Sequence, residues 1–249
     1  MLADQGIALA ADNLGSIYVT GLFQGSDVDF DPGPGSTNLS SHGSTDIFLA
    51  KYSVDGVLSY AFNIGGASSD IGIGLGVDGS GNPHLTGLIS GTEVDFDPGP
   101  DTKLLSSVGE GDIFVAKYSG TGDLFFAFNI GSVQSEDGKD LVVDHVGNIY
   151  VTGRFQGENV DFDPGPEPLM LSSNGGNDVF VAKYNQRLNM DSGEVQVGAL
   201  TARVITPDPA SSRYEQTRKN PGTAATAPVR RPGAGAAMSA KATTTPQSC

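Results

Sequence analysis

The sequence predicts an all-β repeat protein, and three observations support this prediction. The segment Val-Asp-Phe-Asp-Pro-Gly-Pro occurs at residues 28–34, 94–100 and 160–166, with a constant step of 66 residues. The chain has 35 Gly and 14 Pro residues and only 38% hydrophobic residues, which is typical of many short strands joined by tight turns. No long stretch shows the periodicity of a helix. We therefore treat residues 1–184 as three copies of one 66-residue unit.

Each copy contains four segments with the length and apolar pattern of β-strands. In the first copy they are Ile7–Ala11, Ile17–Phe23, Ile47–Tyr52 and Leu58–Ile64, each bounded by Gly, Asn, Asp or Ser. Small and polar residues at 13–16 suit a tight hairpin between the first two segments. Four consecutive antiparallel strands describe one blade of a β-propeller. The sequence thus predicts a partial β-propeller of about three four-stranded blades with a disordered C-terminal tail.

The repeat resembles a known family in four of its segments. Residues 6–21 read GIALAADNLGSIYVTG, and VDFDPGP, DIFLAKY and AFNIG follow at fixed spacing. This combination resembles the bacterial β-propeller repeat family called SBBP, and its first half resembles NHL-type blades. The resemblance covers residues 4–184. It implies four-stranded blades in large secreted or surface proteins of bacteria, hence an extracellular or cell-surface location, and it implies no catalytic residues.

The repeat is lost after Tyr184. The third copy should read AFNIG at 193–197, but the sequence there is GEVQV. We predict that residues 185–206 are a degenerate edge segment, in which Val195–Ile205 can still form an edge strand. Residues 207–249 are rich in Pro, Ala and Thr, and we predict that they are disordered because they cannot bury enough apolar surface to offset the loss of chain entropy.

The net charge of −15 is unevenly distributed. Residues 1–184 contain 25 acidic and 6 basic residues, whereas residues 185–249 contain 4 acidic and 8 basic residues. An acidic body repels nucleic acid and anionic lipid, so we expect neither as a partner, and cations are its natural small ligands. The sequence has no apolar run of about 18 residues, so we predict no membrane span. No secretory signal is visible at the N-terminus, so the protein either stays inside the cell or begins downstream of its true start.

The alternating aspartates of the repeated motif are the candidate metal site. The candidate ligands are Asp29, Asp31, Asp95, Asp97, Asp161 and Asp163. One interpretation is calcium binding, because calcium prefers carboxylate oxygens. The other is structural: Val28 and Phe30 anchor the loop, as Phe96 and Phe162 do in the other copies, while Asp31 caps a turn. Alternate residues of an extended strand lie about 6.6 Å apart, so one ion requires the loop to curl. No other cofactor is predicted.

Lysines recur at one position of the repeat, whereas histidines do not. Lys51, Lys117 and Lys183 end the third strand of each copy. They either form ion pairs between neighbouring blades, with Asp12, Asp78 and Asp144 as partners, or simply extend their apolar stems along the strand end. The three histidines, His42, His84 and His145, occupy three different repeat positions, which argues against a shared metal site.

Two hypotheses about function remain open at this point. The first is a non-enzymatic propeller module with a structural or binding role, which recognises a protein or a glycan with its acidic loops; stabilisation by calcium is a refinement of this hypothesis. The alternative is a fragment of a propeller lyase or hydrolase whose active site needs further blades. Propellers usually have about 4 to 8 blades, so three copies leave unpaired strand edges. We therefore expect homo-oligomerisation, completion by further blades, or aggregation.

Overall fold

A computed structural model describes residues 4–188, 195–205 and 215–217. All regular structure in these residues is β, and the strands run in the following order. They are β1 Gln5–Ala11, β2 Ile17–Phe23, β3 Val28–Asp29, β4 Asn38–Leu39, β5 Asp46–Tyr52, β6 Leu58–Ile64, β7 Ile71–Val77, β8 Pro83–Ile89, β9 Val94–Asp95, β10 Leu104–Leu105, β11 Asp112–Tyr118, β12 Leu124–Ile130, β13 Asp137–Val143, β14 Ile149–Phe155, β15 Val160–Asp161, β16 Met170–Leu171, β17 Asp178–Leu188, β18 Val195–Ile205 and β19 Glu215–Thr217.

The strands form one antiparallel sheet per repeat. The first sheet has the order β1-β2-β5-β6 and the second has β7-β8-β11-β12. The third has β13-β14-β17-β18, with β19 added at its edge. A two-stranded hairpin, β3–β4, β9–β10 or β15–β16, lies in the long loop between the second and third strands of each sheet. This confirms the predicted all-β fold with four-stranded units.

Local turn chemistry explains why the first two strands of each sheet pair as they do. The Asp12 carboxylate accepts the backbone N–H groups of Leu14 and Ser16, both at 2.9 Å. Gly15 has a φ of 81°, which a residue with a Cβ adopts with difficulty. The same carboxylate-to-backbone bonds recur at Asp78 and Asp144. Each of these aspartates therefore closes its own β-hairpin.

The three sheets pack face to face in chain order. β7 packs against β1 and β2, and β13 packs against β7 and β8. The close approach depends on glycine: a Cβ on Gly72 would clash with the hydroxyl of Thr20, and a Cβ on Gly138 would clash with that of Thr86. The hydrophobic core lies mainly between the sheets, where β7 contributes Leu75 to the first junction.

The C-terminal region departs from the repeat. β17 and β18 are each 11 residues long and pair with one another, so β18 provides the fourth strand of the third sheet without the repeat motif. The predicted disordered tail, residues 207–249, lies outside the described residues except for β19. The domain boundaries at 184/185 and 206/207 remain predictions. Among the described residues there is no helix of the length and apolar character that crossing a membrane requires.

Candidate functional site

The repeated Asp-Phe-Asp-Pro-Gly-Pro loops hold themselves together with their own carboxylates. Asp29 Oδ1 accepts the N–H groups of Asp31 (3.0 Å) and Thr37 (2.8 Å), and Asp31 Oδ1 accepts the N–H of Gly33 (2.8 Å). These backbone bonds lower the pKa of Asp29. The same set of bonds recurs around Asp95 and Asp97, and again around Asp161 and Asp163. One oxygen of each aspartate thus stabilises the loop.

The phenylalanine of each loop inserts into its own sheet. Phe96 and Phe162 are fully buried, whereas Phe30 is half-buried. The backbone carbonyl of Phe96 accepts a 2.9 Å hydrogen bond from Tyr118, and that of Phe30 accepts one of 3.0 Å from Tyr52. The predicted anchoring role is therefore confirmed for Phe96 and Phe162 and holds in part for Phe30.

Calcium binding at the six aspartates remains a prediction. Within the described residues, no group of three or more His, Cys, Asp or Glu side chains is arranged so that it could hold a metal ion. Each loop brings two aspartates close together, and both use an oxygen in bonds to the backbone. An ion would therefore have to use the remaining carboxylate oxygens together with backbone carbonyls or water.

Buried carboxyl groups lie where consecutive sheets meet. Asp46 and Asp70 are both completely buried, and Asp70 accepts the N–H groups of Gly66 and Ser90 at 2.9 Å. Burial raises the pKa of Asp70 to about 6, with a further contribution from the negative charge of Asp46. Burial also raises the pKa of Glu136, which occupies the same position in the next repeat.

The repeated lysines connect sheets through hydrogen bonds. Lys51 Nζ donates to the carbonyl of Gly120 at 2.9 Å, and Lys117 Nζ donates to Gln186 Oε1 at 2.8 Å. The ion pair of Lys117 is with Asp78 at 3.1 Å, inside its own sheet. The hypothesis of ion pairs between neighbouring blades is therefore wrong for this pair, because Asp78 belongs to the same sheet as Lys117 and the acceptor that Gln186 offers from the next sheet is neutral.

His84 lies beside this lysine and is completely buried. Its Nδ1 is 3.1 Å from the carbonyl of Asn82, and its Nε2 is 3.2 Å from Gln186 Nε2. Burial lowers the pKa of His84 to about 4, and the positive charge of Lys117 acts in the same direction. His84 is thus a neutral core residue at neutral pH.

An open groove lies between the first and second sheets. It has a volume of about 450 Å³ and lies between β6, the loop after β9 and the β11–β12 hairpin. Tyr60 and Phe62 form an aromatic wall, with ring centroids 5.7 Å apart and an interplanar angle of 18°. Asp97, Asp101 and Asp123 bring three carboxyl groups to the same groove.

The electrostatics of this groove suit a cation. Its lining residues, all in the described part of the chain, include no Lys or Arg. The hydroxyl of Tyr60 is buried and has no hydrogen-bond partner among the described residues. Burial raises the pKa of Tyr60, and the negative charge of Asp123 is a smaller contribution in the same direction. The groove thus combines an aromatic surface with excess negative charge, which is the combination that attracts ammonium and guanidinium groups.

Reasoning from single repeats missed this groove because its walls come from two different repeats. A signal was nevertheless present in the sequence. Aromatic residues alternate at positions 60 and 62 and again at positions 126 and 128, so they lie on one face of the fourth strand. In the second sheet the corresponding rings also stack, with centroids 6.1 Å apart.

Comparisons with known proteins are consistent with this architecture. No protein-family model matches the chain. An uncharacterized WD repeat-containing protein of Acanthamoeba polyphaga mimivirus is 26% identical over 217 residues, and the match covers 73% of this chain. The chain spans only 15% of the length of that relative. With the four-stranded antiparallel sheets, this similarity indicates a β-propeller-like repeat protein.

Proposed function

We propose that this β-propeller repeat module is non-enzymatic and binds a basic segment of a partner protein in the groove between its first and second sheets. The observation that carries the proposal is the groove itself: the Tyr60–Phe62 pair faces the same space as Asp97, Asp101 and Asp123. A lysine or arginine side chain would place its charge between the carboxylates and its apolar stem against the rings.

The charge of the whole repeat region supports the same kind of partner. Residues 1–184 have 25 acidic and 6 basic residues, so their field attracts a basic segment before contact is made. Exposed ion pairs contribute only about 0.2 to 1 kcal/mol each, so the aromatic contact is needed for a useful affinity. We therefore expect an affinity that decreases as salt increases, with an apolar component that salt does not remove.

The direct test is a calorimetric titration with tri-arginine and tri-lysine peptides, with tri-glutamate as the negative control. We expect the basic peptides alone to bind. The double variant Asp101→Asn/Asp123→Asn should bind roughly tenfold more weakly, because two exposed charge pairs of up to about 1 kcal/mol each are lost. A failure of both basic peptides to bind at low salt would contradict the proposal.

A matched control separates the groove from the general acidity of the protein. Asp27 and Asp55 are exposed and lie outside the groove. Asp27→Asn/Asp55→Asn removes the same number of charges, and position 27 has a φ of 57°, which asparagine tolerates well. This variant should keep nearly all of the affinity. An equal loss of affinity in both double variants would show that peptide binding depends only on the net charge of the protein.

The stacked rings favour a glycan as the second candidate ligand. The face of a sugar ring packs on aromatic side chains, and carboxylates accept hydrogen bonds from its hydroxyl groups. The same titration distinguishes this case with a neutral oligosaccharide such as chitotriose, since its binding would not depend on salt. A glycan ligand would also suit the bacterial surface location that the resemblance to SBBP repeats implies.

Calcium stabilisation is a separate part of the proposal, based on the alternating aspartates of the loops. If calcium binds through Asp29 and Asp31 and their equivalents, it must raise the thermal midpoint, because a ligand of the folded state stabilises that state. Thermal unfolding in millimolar calcium should then differ from unfolding in a chelator, and magnesium serves as the control ion. Identical midpoints in calcium and chelator would exclude these sites.

A further inference from the structure

The two internal sheet junctions are built from the same repeat positions. At the first junction Gly72 lies against Thr20, and Leu75 belongs to the cluster that includes Ile47 and Leu49. At the second junction the equivalent residues meet in the same way, Gly138 against Thr86 and Leu141 within the cluster of Ile113 and Val115. A junction thus needs a glycine and a leucine from the later sheet and an apolar third strand from the earlier one.

The first sheet offers the glycine and the leucine, but no described residue covers them. Leu9 is 73% exposed, whereas its equivalents Leu75 and Leu141 are 7% and 3% exposed. A Cβ on Gly6 would meet only a methyl of Val19 in its own sheet, at 3.6 Å. Nothing within the described structure therefore requires glycine or leucine here, although both occupy their junction positions. We call the surface formed by Gly6 and Leu9 the entry face.

The third sheet offers the other half of a junction. Val179 is 42% exposed and Val181 is 36% exposed, whereas Ile47, Leu49, Ile113 and Val115 at the same repeat positions are completely buried. Thr152 donates a 2.9 Å hydrogen bond to the carbonyl of Phe180, as Thr20 and Thr86 do to the carbonyls of their own third strands. Its hydroxyl is therefore held in the orientation found at the internal junctions. We call the surface formed by Thr152, Val179 and Val181 the exit face.

A groove on the exit face has the character of a leucine-binding site. It has a volume of about 180 Å³, and its accessible lining is almost wholly apolar. Thr152, Val181 and Val142 line it. Val142 occupies the position of Gly76, whose Cβ would lie 3.0 Å from a methyl of Leu141 in the next sheet. The groove therefore lies where the leucine of a following sheet would pack.

We propose that the exit face of one copy of this chain packs on the entry face of a second copy, so that the internal sheet junction is repeated between chains. Gly6 of the second copy lies against Thr152 of the first, and Leu9 enters the groove beside Val181. A second copy is the occupant because both halves of the junction are present on one chain, in the register of the two internal junctions. The contact continues an interface that the fold already uses twice.

The junction between chains differs from the internal ones at the rim. Asp140 and Val142 occupy the positions of Ala8 and Ala10 in the first sheet and of Gly74 and Gly76 in the second. The carboxylate of Asp140 accepts the N–H of Leu141 at 2.8 Å, which keeps it bonded to its own strand. These larger residues prevent the close approach that the glycines allow, so we expect a weaker and reversible association that depends on protein concentration. Two copies would bring six sheets together, which is within the range of about 4 to 8 blades for a closed propeller.

Analytical ultracentrifugation of single and mixed variants tests the proposal. The wild-type chain should associate as its concentration is raised. Leu9→Glu, on the entry face, and Val181→Glu, on the exit face, should each lower the association constant by more than about tenfold, because each buries an unpaired charge. An equimolar mixture of these two variants should form a one-to-one dimer that grows no further, since each keeps one intact face.

Further variants guard against misfolding and non-specific effects. Leu14 and Val146 are 85% and 69% exposed on hairpin tips, so Leu14→Glu and Val146→Glu should associate like the wild type. Gly6→Val adds bulk only at the entry face and should block association while circular dichroism remains unchanged. The proposal is overturned if the wild type is monomeric at all concentrations. It is equally overturned if Leu9→Glu or Gly6→Val associates normally, or if the mixture stays monomeric.

Discussion

Phe30, Phe96 and Phe162 share one repeat position but not one environment. Phe96 is completely buried and packs against Phe114, with ring centroids 5.2 Å apart. Phe30 is half-buried, and it packs edge-on to Phe23 at 5.4 Å. The contribution of a repeated residue to the free energy of unfolding therefore depends on its surroundings. For a buried ring it is set by the area removed from water and by the cavity that removal of the ring leaves.

A pair of alanine substitutions tests this difference. Phe96→Ala should lower the free energy of unfolding by about 3 to 5 kcal/mol, the usual cost for a fully enclosed ring. Phe30→Ala should cost clearly less, because part of its ring is already in water. Urea unfolding of both variants and the wild type measures the two losses. Equal losses, or a loss below about 1 kcal/mol for Phe96→Ala, would show that the loop is not held by this ring.

At the scale of the element, the strands of each sheet could be predicted from the sequence. The predicted segments Ile17–Phe23 and Leu58–Ile64 coincide with β2 and β6, and the other two differ from β1 and β5 by one or two residues. The prediction succeeded because the turn residues and the apolar alternation agree in all three copies, so that local preference and tertiary packing favour the same structure.

Other elements could not be predicted because their determinants are not local. The two-residue strands β3 and β4 form inside a loop where Asp29 bonds to Thr37, eight residues away. β18 is an exception, because it lacks the repeat motif but coincides with the predicted strand Val195–Ile205, where it pairs with the 11-residue β17. The groove beside Tyr60 also arises only when two sheets meet, so no single repeat contains it.

At the scale of the whole molecule, buried acidic groups and a buried histidine change the stability of the fold in opposite directions as the pH falls. Burial raises the pKa of Asp70 to about 6, and it also raises the pKa values of Asp112 and Glu136. Burial lowers the pKa of His84 to about 4. Between pH 4 and pH 6, folded Asp70 keeps a proton that the unfolded chain has lost, so its contribution to stability increases as the pH falls. Between pH 4 and pH 6.5, unfolded His84 binds a proton that the folded protein excludes, so its contribution decreases as the pH falls.

Two variants separate these opposing contributions. Asp70→Asn removes the first group, and His84→Tyr removes the second by introducing the residue found at the equivalent positions 18 and 150. Since one pKa unit corresponds to about 1.4 kcal/mol, each group should change the unfolding free energy by about 1 to 2 kcal/mol between pH 7 and pH 5. As the pH falls from 7 to 5, we therefore expect the stability of His84→Tyr to increase relative to that of the wild type. Over the same change, the stability of Asp70→Asn should decrease relative to that of the wild type.

The informative quantity is the change with pH in urea unfolding, measured at one low protein concentration. Asp70→Asn also removes one of the oxygens that accept the N–H groups of Gly66 and Ser90, and the lost hydrogen bond lowers its stability by an amount that does not vary with pH. That loss is constant with pH and cancels when pH 5 is compared with pH 7. Parallel pH profiles for all three proteins would contradict the argument, because burial at the sheet junctions would then have no effect on the protonation of these groups.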